Sequence, residues 1–451
     1  MSPLSPAPFG AGGPGAEADR AVAAILDATL HGSERGTVVD SPPGAGKSTL
    51  VVRAARELVG SGERLMIVAQ TNSQVDDLVD RLATADPGLT VGRLHGSDAA
   101  PDPMALRHPN VLPSTKASEL LEQSVVVSTA AKWQWVKGVD PWRHAIVDEA
   151  YQMRSDALLA VARLFDRALF VGDPGQLDPF TIVGTDQWAG LSYDPSSSAV
   201  VTLLAHNPRI VPHRLPVSWR LPASAAPLVS AAFYPYAPFR SGTGPGDRRL
   251  ELPTAGDGSA ADRVIDIAAE TGWGLLELPA RHTVRTDPEA VHAVARVVRR
   301  LLDRRGTCVS ERGESPLTAD RLAVGTAHRD QAAAVRAALT GLGVPVGGAE
   351  GVTVDTANRL QGREYDVTVV LHPLSGRPDA TAFHLETGRL CVLASRHRHA
   401  CIVVARAGIA ELLDEHPSTE PVRLGVTVKF PDGWEANHAV LAHLSEHRVR
   451  D

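Results

Sequence analysis

The stretch that decides the fold is residues 37–50, TVVDSPPGAGKSTL. Residues 37–40 combine β-favouring side chains with a closing aspartate and read as a buried strand. Residues 41–46 are too rich in Pro and Gly for regular structure, and Lys47, Ser48, Thr49 and Leu50 open a helix. Strand, glycine loop, Lys-Ser and helix in that order match the phosphate-cradling pattern G-x-x-x-x-G-K-[ST]. In that pattern backbone N–H groups of the loop (Pro43, Gly44, Ala45, Gly46) and a helix N-terminus surround phosphates. The lysine reaches the outer ones and the hydroxyl of Ser48 holds Mg²⁺, with Thr49 beside it. One position departs, because Ser41 stands where the first glycine belongs; serine makes the same turn when φ there is negative.

Working outward, 451 residues exceed what one core usually serves, so two domains are expected, and 43% apolar residues supply ample core. A net charge of −7 gives no global basic signature, so contact with nucleic acid has to come from a local groove. Cys308, Cys391 and Cys401 form no CxxC pair and lie in or beside apolar runs, which predicts buried free thiols, a reducing compartment and no structural zinc. With no apolar run of about 18 residues and no signal-like N-terminus, the chain is expected to be soluble, cytoplasmic and free of membrane contact.

Along the chain, residues 1–16 read as a disordered arm and 17–31 as a helix leading into the loop strand. Strands over 64–70 and 124–129 alternate with the helical TNSQVDDLVDRL, which predicts a parallel sheet. Residues 84–122, punctuated by five prolines, read as a surface insertion, and Trp133, Trp135 and Trp142 as packing residues. The strand in HAIVDEAYQM ends in Asp148 and Glu149 at the C-terminal sheet edge beside the loop. Asp148 is the natural Mg²⁺ partner, and Glu149 the candidate to polarise an attacking water. After strand 168–171, Gly172 gives a tight exit, Asp173 an Asx-type bond and Gln176 an amide able to sense a γ-phosphate. Residues 240–262 read as a linker, 263–416 as a second strand–helix alternation without its own phosphate loop, and 417–451 as a tail with a small strand pair and a terminal helix. Two α/β domains sharing one cradle place the nucleotide in the cleft between them.

The ordered strings SPPGAGKS, AQTNSQVDDL, VVVSTA, VDEAYQ, GDPGQLDPF, SWRLP, AVGTAHRDQ, VDTANRLQGREYD and RLCVLASRHRHACIVVA, spread over about residues 37–406, resemble the motif series of superfamily 1B helicases. The branch they resemble includes the nonsense-mediated-decay RNA helicase and its bacterial relatives. The resemblance implies two tandem RecA-like P-loop NTPase domains, 17–239 and 263–416, each a mainly parallel sheet flanked by helices, with ATP between them. It assigns Lys47 and Ser48 to phosphate and Mg²⁺, Asp148 and Glu149 to metal and water, and Gln176 to the γ-phosphate. Trp219 stands where the family stacks a tyrosine on adenine, Arg220 and Arg396 match its arginine fingers, and Glu364 its ribose-contacting acid. Nucleic-acid contacts are implied for Thr71, Asn72, Ser128, Thr129 and Thr356, through backbone phosphates and hence without sequence choice.

The function so implied is ATP-driven movement of a monomer on single-stranded DNA or RNA, from 5′ toward 3′. Departures include SWRLP for the usual QYRMHP, no glutamine before the loop to read adenine, and ASRHRHA for LTRAK. Here His397, Arg398 and His399 read as solvated residues ahead of a strand and not as a metal site. Two other readings stay open: a remodeller that translocates without unwinding, and an ATP-dependent switch subunit of a larger complex.

Overall fold

The computed structural model describes residues 12–177, 179, 186–188, 191, 194–195, 197–416 and 432–451. Its architecture is mixed α/β, with two large parallel sheets flanked by helices, consistent with RecA-like P-loop domains.

The first sheet comprises β1 (Gly36–Asp40), β2 (Leu65–Ala69), β3 (Val91–Leu94), β4 (Val111–Ser114), β5 (Val125–Thr129), β6 (Trp142–Asp148), β7 (Phe165–Gly172) and β8 (His213–Arg214). Their order is β4-β3-β5-β2-β6-β7-β1-β8, and every pairing is parallel. Alternate side chains serve opposite faces, as a strand's period of two dictates. Val39, Ile67, Val125 and Leu169 pack on helices Pro14–His31, Lys47–Gly60 and Asn72–Ala85, while Val38, Met66, Val126 and Phe170 build the other core. Trp133 and Trp142 meet edge to face at 5.2 Å in that second core, whereas Trp135 is exposed.

After the short parallel pair β9 (Val217–Ser218) and β10 (Arg240–Ser241), β11 (Arg249–Glu251) joins β13 (Thr307–Ser310) and β14 (Gly313–Pro316) in a small antiparallel sheet. The second large sheet comprises β12 (Trp273–Leu278), β15 (Leu322–Thr326), β16 (Thr353–Thr356), β17 (Tyr365–Leu371), β18 (His397–Arg406) and β19 (Arg448–Arg450). It runs β16-β15-β17-β18-β12-β19, again all parallel. Among the described residues, no helix is long and apolar enough to cross a membrane.

The segment boundaries differ from the sequence reading in four places. Helix Pro14–His31 begins inside the stretch 1–16 expected to be disordered. Residues 84–122 are not a surface insertion: β3 and β4 extend the first sheet to its edge, where Pro113 is tolerated because an edge strand has an unpaired side. Helix Ala226–Phe233 packs with Trp273, Leu390 and Val440 on the second sheet, and helix Ala260–Thr271, which starts within the expected linker 240–262, covers that sheet's other face. Residues 432–451, set apart as a tail, belong to the second domain: the terminal helix expected there is Gly433–Ser445, which joins the second core, and β19 pairs with β12; residues 417–431 lie outside the described residues.

Candidate functional site

The C-terminal edge of the first sheet carries the loop. Gly44 and Gly46 hold φ of +72° and +88°, in the left-handed region that glycine enters without steric cost, and this turns the backbone around the cradle. A β-carbon on Gly44 would lie 2.2 Å from that of Arg220. The loop is docked from outside by Trp219 N–H on Gly44 C=O (2.8 Å) and by Ser218 Oγ on Pro43 C=O (2.6 Å). Trp219 itself flanks Gly46 and stays partly exposed, packed over Gly242.

Lys47 follows Gly46 as the first helical residue and its Nζ donates to Glu149 Oε1. Burial opposes the ammonium charge, but Glu149, Asp148 and Asp173 outweigh it and raise the Lys47 pKa. Asp148 ends β6, 5% exposed; burial, offset in part by Lys47 and reinforced by Glu149, pushes its carboxyl up to about 6. Its Oδ1 is buried without a hydrogen-bond partner, and with the Ser48 hydroxyl at the same cleft the oxygen-only donor set fits a hard divalent cation. Glu149 has φ +50°, a strained backbone for a non-glycine residue, and Gln152 Nε2 donates to its Oε2 at 3.1 Å.

From β7, Asp173 accepts the Gly175 N–H (2.9 Å), which is the expected Asx-type bond, as well as Tyr234 O–H (2.7 Å) and Gln176 Nε2. Burial drives its pKa up. Gln176 keeps an unpartnered, buried Oε1.

Across the cleft, Arg220 Nε meets Glu364 Oε2 at 3.2 Å, and Arg398 takes the other oxygen at 3.2 Å. Burial works against the Glu364 carboxylate, yet Arg220 and then Arg398 hold its pKa below the usual range. Arg396 is 1% exposed; burial, with repulsion from Arg220, lowers its guanidinium to about 10, and its Nη1 finds no partner. Loop, acids and arginines line one cleft of about 1180 Å³ together with Gln176, Trp219 and Gln361.

The residues assigned to nucleic acid divide. Thr71 and Asn72 are exposed at the start of helix Asn72–Ala85; Thr71 caps that helix and also lines the cleft, and Asn72 accepts from Arg93 at 3.1 Å. Ser128 is fully buried with its hydroxyl donating to Leu94 C=O at 2.6 Å, so its side chain cannot touch a polymer. Thr129 and Thr356 are 8% and 7% exposed; Thr129 caps the short helix Ala130–Trp133. His397, Arg398 and His399, expected to be solvated, lie buried within β18, because the strand begins at His397 and enters the middle of its sheet. Sequence reasoning missed Arg248, which donates to the carbonyls of Trp219 and Arg220 and pairs with Glu311 at 2.7 Å. An arginine in a Gly/Pro-rich run carries no local sign of such a partner.

Residues 19–186, which include the first sheet's loop and acids, match the family model of the AAA domain. That segment is thus similar to a P-loop NTPase domain. No curated protein matches the chain. Similar solved structures include the helicase of PRRSV (15% identity, 86% of this chain and 54% of that one, TM-score 0.43). Another is Arterivirus nonstructural protein 10, a helicase, in complex with DNA (14%, 88% and 64%, TM-score 0.42). The chain therefore spans between about half and two thirds of the length of these helicases.

Proposed function

We propose that the chain is a superfamily 1B helicase or translocase that couples ATP hydrolysis in the cleft to movement on single-stranded DNA or RNA, 5′ to 3′, as a cytoplasmic monomer. The observation that carries this reading is the meeting of Lys47, Asp148 and Glu149 from the first sheet with Arg220, Arg396 and Glu364 on one cleft. A lone P-loop domain needs no such second wall.

In this reading the triphosphate enters the loop over Lys47, and the base stacks on Trp219. The phosphates draw Lys47 away from Glu149, which then accepts a proton from the attacking water. Gln176 turns its amide toward the γ-phosphate. Arg220 and Arg396 neutralise charge that develops there, Arg220 leaving Glu364 free for the ribose. Mg²⁺ held by Ser48 and Asp148 would supply Lewis-acid polarisation of the phosphate oxygens. The polymer would lie over Thr71, Asn72, Thr129 and Thr356, and Ser128 would contribute backbone only.

The test is steady-state ATP hydrolysis by wild type and Glu149→Gln, with and without single-stranded DNA or RNA, followed by unwinding of a 5′-tailed duplex. Stimulation by one polymer that the variant loses while still binding ATP is expected. Hydrolysis indifferent to both polymers would reject the motor.

A further inference from the structure

Away from the cleft's phosphate end, Cys308 on β13, Asp366 on β17 and His399 on β18 converge. Their ligating atoms all lie within 4.8 Å of one another, and the residues are 1%, 5% and 5% exposed. His399 Nε2 sits 3.0 Å from Val309 C=O. A carbonyl only accepts, so Nε2 carries hydrogen, and in the neutral ring Nδ1 is a bare lone pair. That Nδ1 stands 3.1 Å from Asp366 Oδ1, a pair held together either by a proton on Nδ1 or by a cation shared with the third donor. Two donors each about 2.0–2.1 Å from a tetrahedral ion stand roughly 3.3 Å apart, close to what is observed.

We propose that Cys308, Asp366 and His399 form a divalent-metal site with the donor chemistry of zinc, which joins the β13–β14 hairpin to the second large sheet. A borderline-soft ion suits thiolate, imidazole and carboxylate together. The outer partners are in place: Val309 C=O orients the imidazole, and Arg321 pairs with Asp366 Oδ2 and leaves Oδ1 for the ion. On the Asp366 side, a cleft of about 380 Å³ is lined by Asp366, Arg321 and Arg398. The site lies beside the nucleotide wall, since Glu311, two residues after Val309, pairs with Arg248 and with the Arg398 that holds Glu364.

The experiment titrates Co²⁺ into full-length protein stripped with a chelator under reducing conditions, then displaces it with Zn²⁺. Expected is one thiolate-to-cobalt charge-transfer band at one equivalent per chain, quenched by zinc. In Cys308→Ser the affinity should fall by more than the roughly 10–100-fold that follows loss of an outer partner, with unchanged circular dichroism in chelator. The surface group His443, Glu446 and His447 has no sulfur and cannot give that band. X-ray absorption of zinc-loaded wild type should show one sulfur near 2.3 Å, a readout that needs no variant. A wild type without the band, a band that survives Cys308→Ser, or a zinc shell without sulfur would each overturn the proposal and leave a protonated His399 paired with Asp366.

Discussion

Asp148→Asn should stabilise the ligand-free protein at neutral pH while abolishing hydrolysis. Asp148 is buried and its carboxyl rises from 3.8 to about 6 on folding, chiefly through burial. For an acid whose folded pKa is raised, the folded state binds more protons than the unfolded state between the two values, so stability falls as pH rises through that window. At about 1.4 kcal/mol per pH unit the penalty reaches roughly 3 kcal/mol above pH 6 and vanishes below about pH 4. Asparagine imitates the protonated acid and escapes the penalty, and Lys47 keeps Glu149 as its direct partner. Urea unfolding without nucleotide or divalent ions, followed by the fluorescence of the buried Trp133 and Trp142, reads the first sheet. The variant should exceed wild type by about 3 kcal/mol at pH 7.5, with the gap closing toward pH 4. A gap that stays constant across this range, or a variant less stable at pH 7.5, would refute the electrostatic argument.

Gly44→Ala places a methyl group 2.2 Å from Arg220 Cβ and 2.8 Å from its backbone nitrogen, at a φ of +72°. Left-handed backbone and overpacking together should cost about 2–4 kcal/mol, seen in equilibrium unfolding, and nucleotide binding should be lost. Steady-state kinetics should separate the cleft's two walls. Trp219→Ala raises KM for the triphosphate about tenfold with kcat kept, as loss of stacking implies. Arg396→Ala lowers kcat about 1000-fold with little change in KM, as a transition-state contact implies; the opposite split would exchange their roles.

The placement of the loop and the acids on one cleft was legible because its spacing is local. Loop, lysine and hydroxyl must lie within one strand–turn–helix unit, and Asp148 and Glu149 must end a strand, so both show in a short window. What was hidden depends on partners far away in sequence. Residues 84–122 look irregular because prolines and short strands give weak periodicity, and it is pairing with β5 and β4 that makes β3 a strand. The β18 residues His397, Arg398 and His399 are polar by type yet buried, each taking its environment from other elements: Trp273 against His397, Glu364 and Glu311 against Arg398, Val309 and Asp366 against His399. Ser128 was named by resemblance, and a motif match carries no sign of burial: Leu94 C=O on the neighbouring strand takes its hydrogen.

Two cations of the cleft are paired with carboxylates on the same cleft. Lys47 is paired with Glu149 and Arg220 with Glu364, while Gln176 donates to Asp173. A buried charge without a partner costs several kcal/mol, so these pairings let Lys47, Glu149 and Arg220 sit largely out of water. In the proposed mechanism each pair joins a group that binds phosphate to one that must be free for another task. A triphosphate supplies negative charge to Lys47 and Arg220 at once, and thereby releases Glu149 toward water and Glu364 toward the ribose. The same phosphates offer the unpartnered Nη1 of Arg396 its first acceptor. Binding and activation of the base would then be one exchange of ion pairs, with hydrolytic power withheld until the substrate itself breaks the resting contacts.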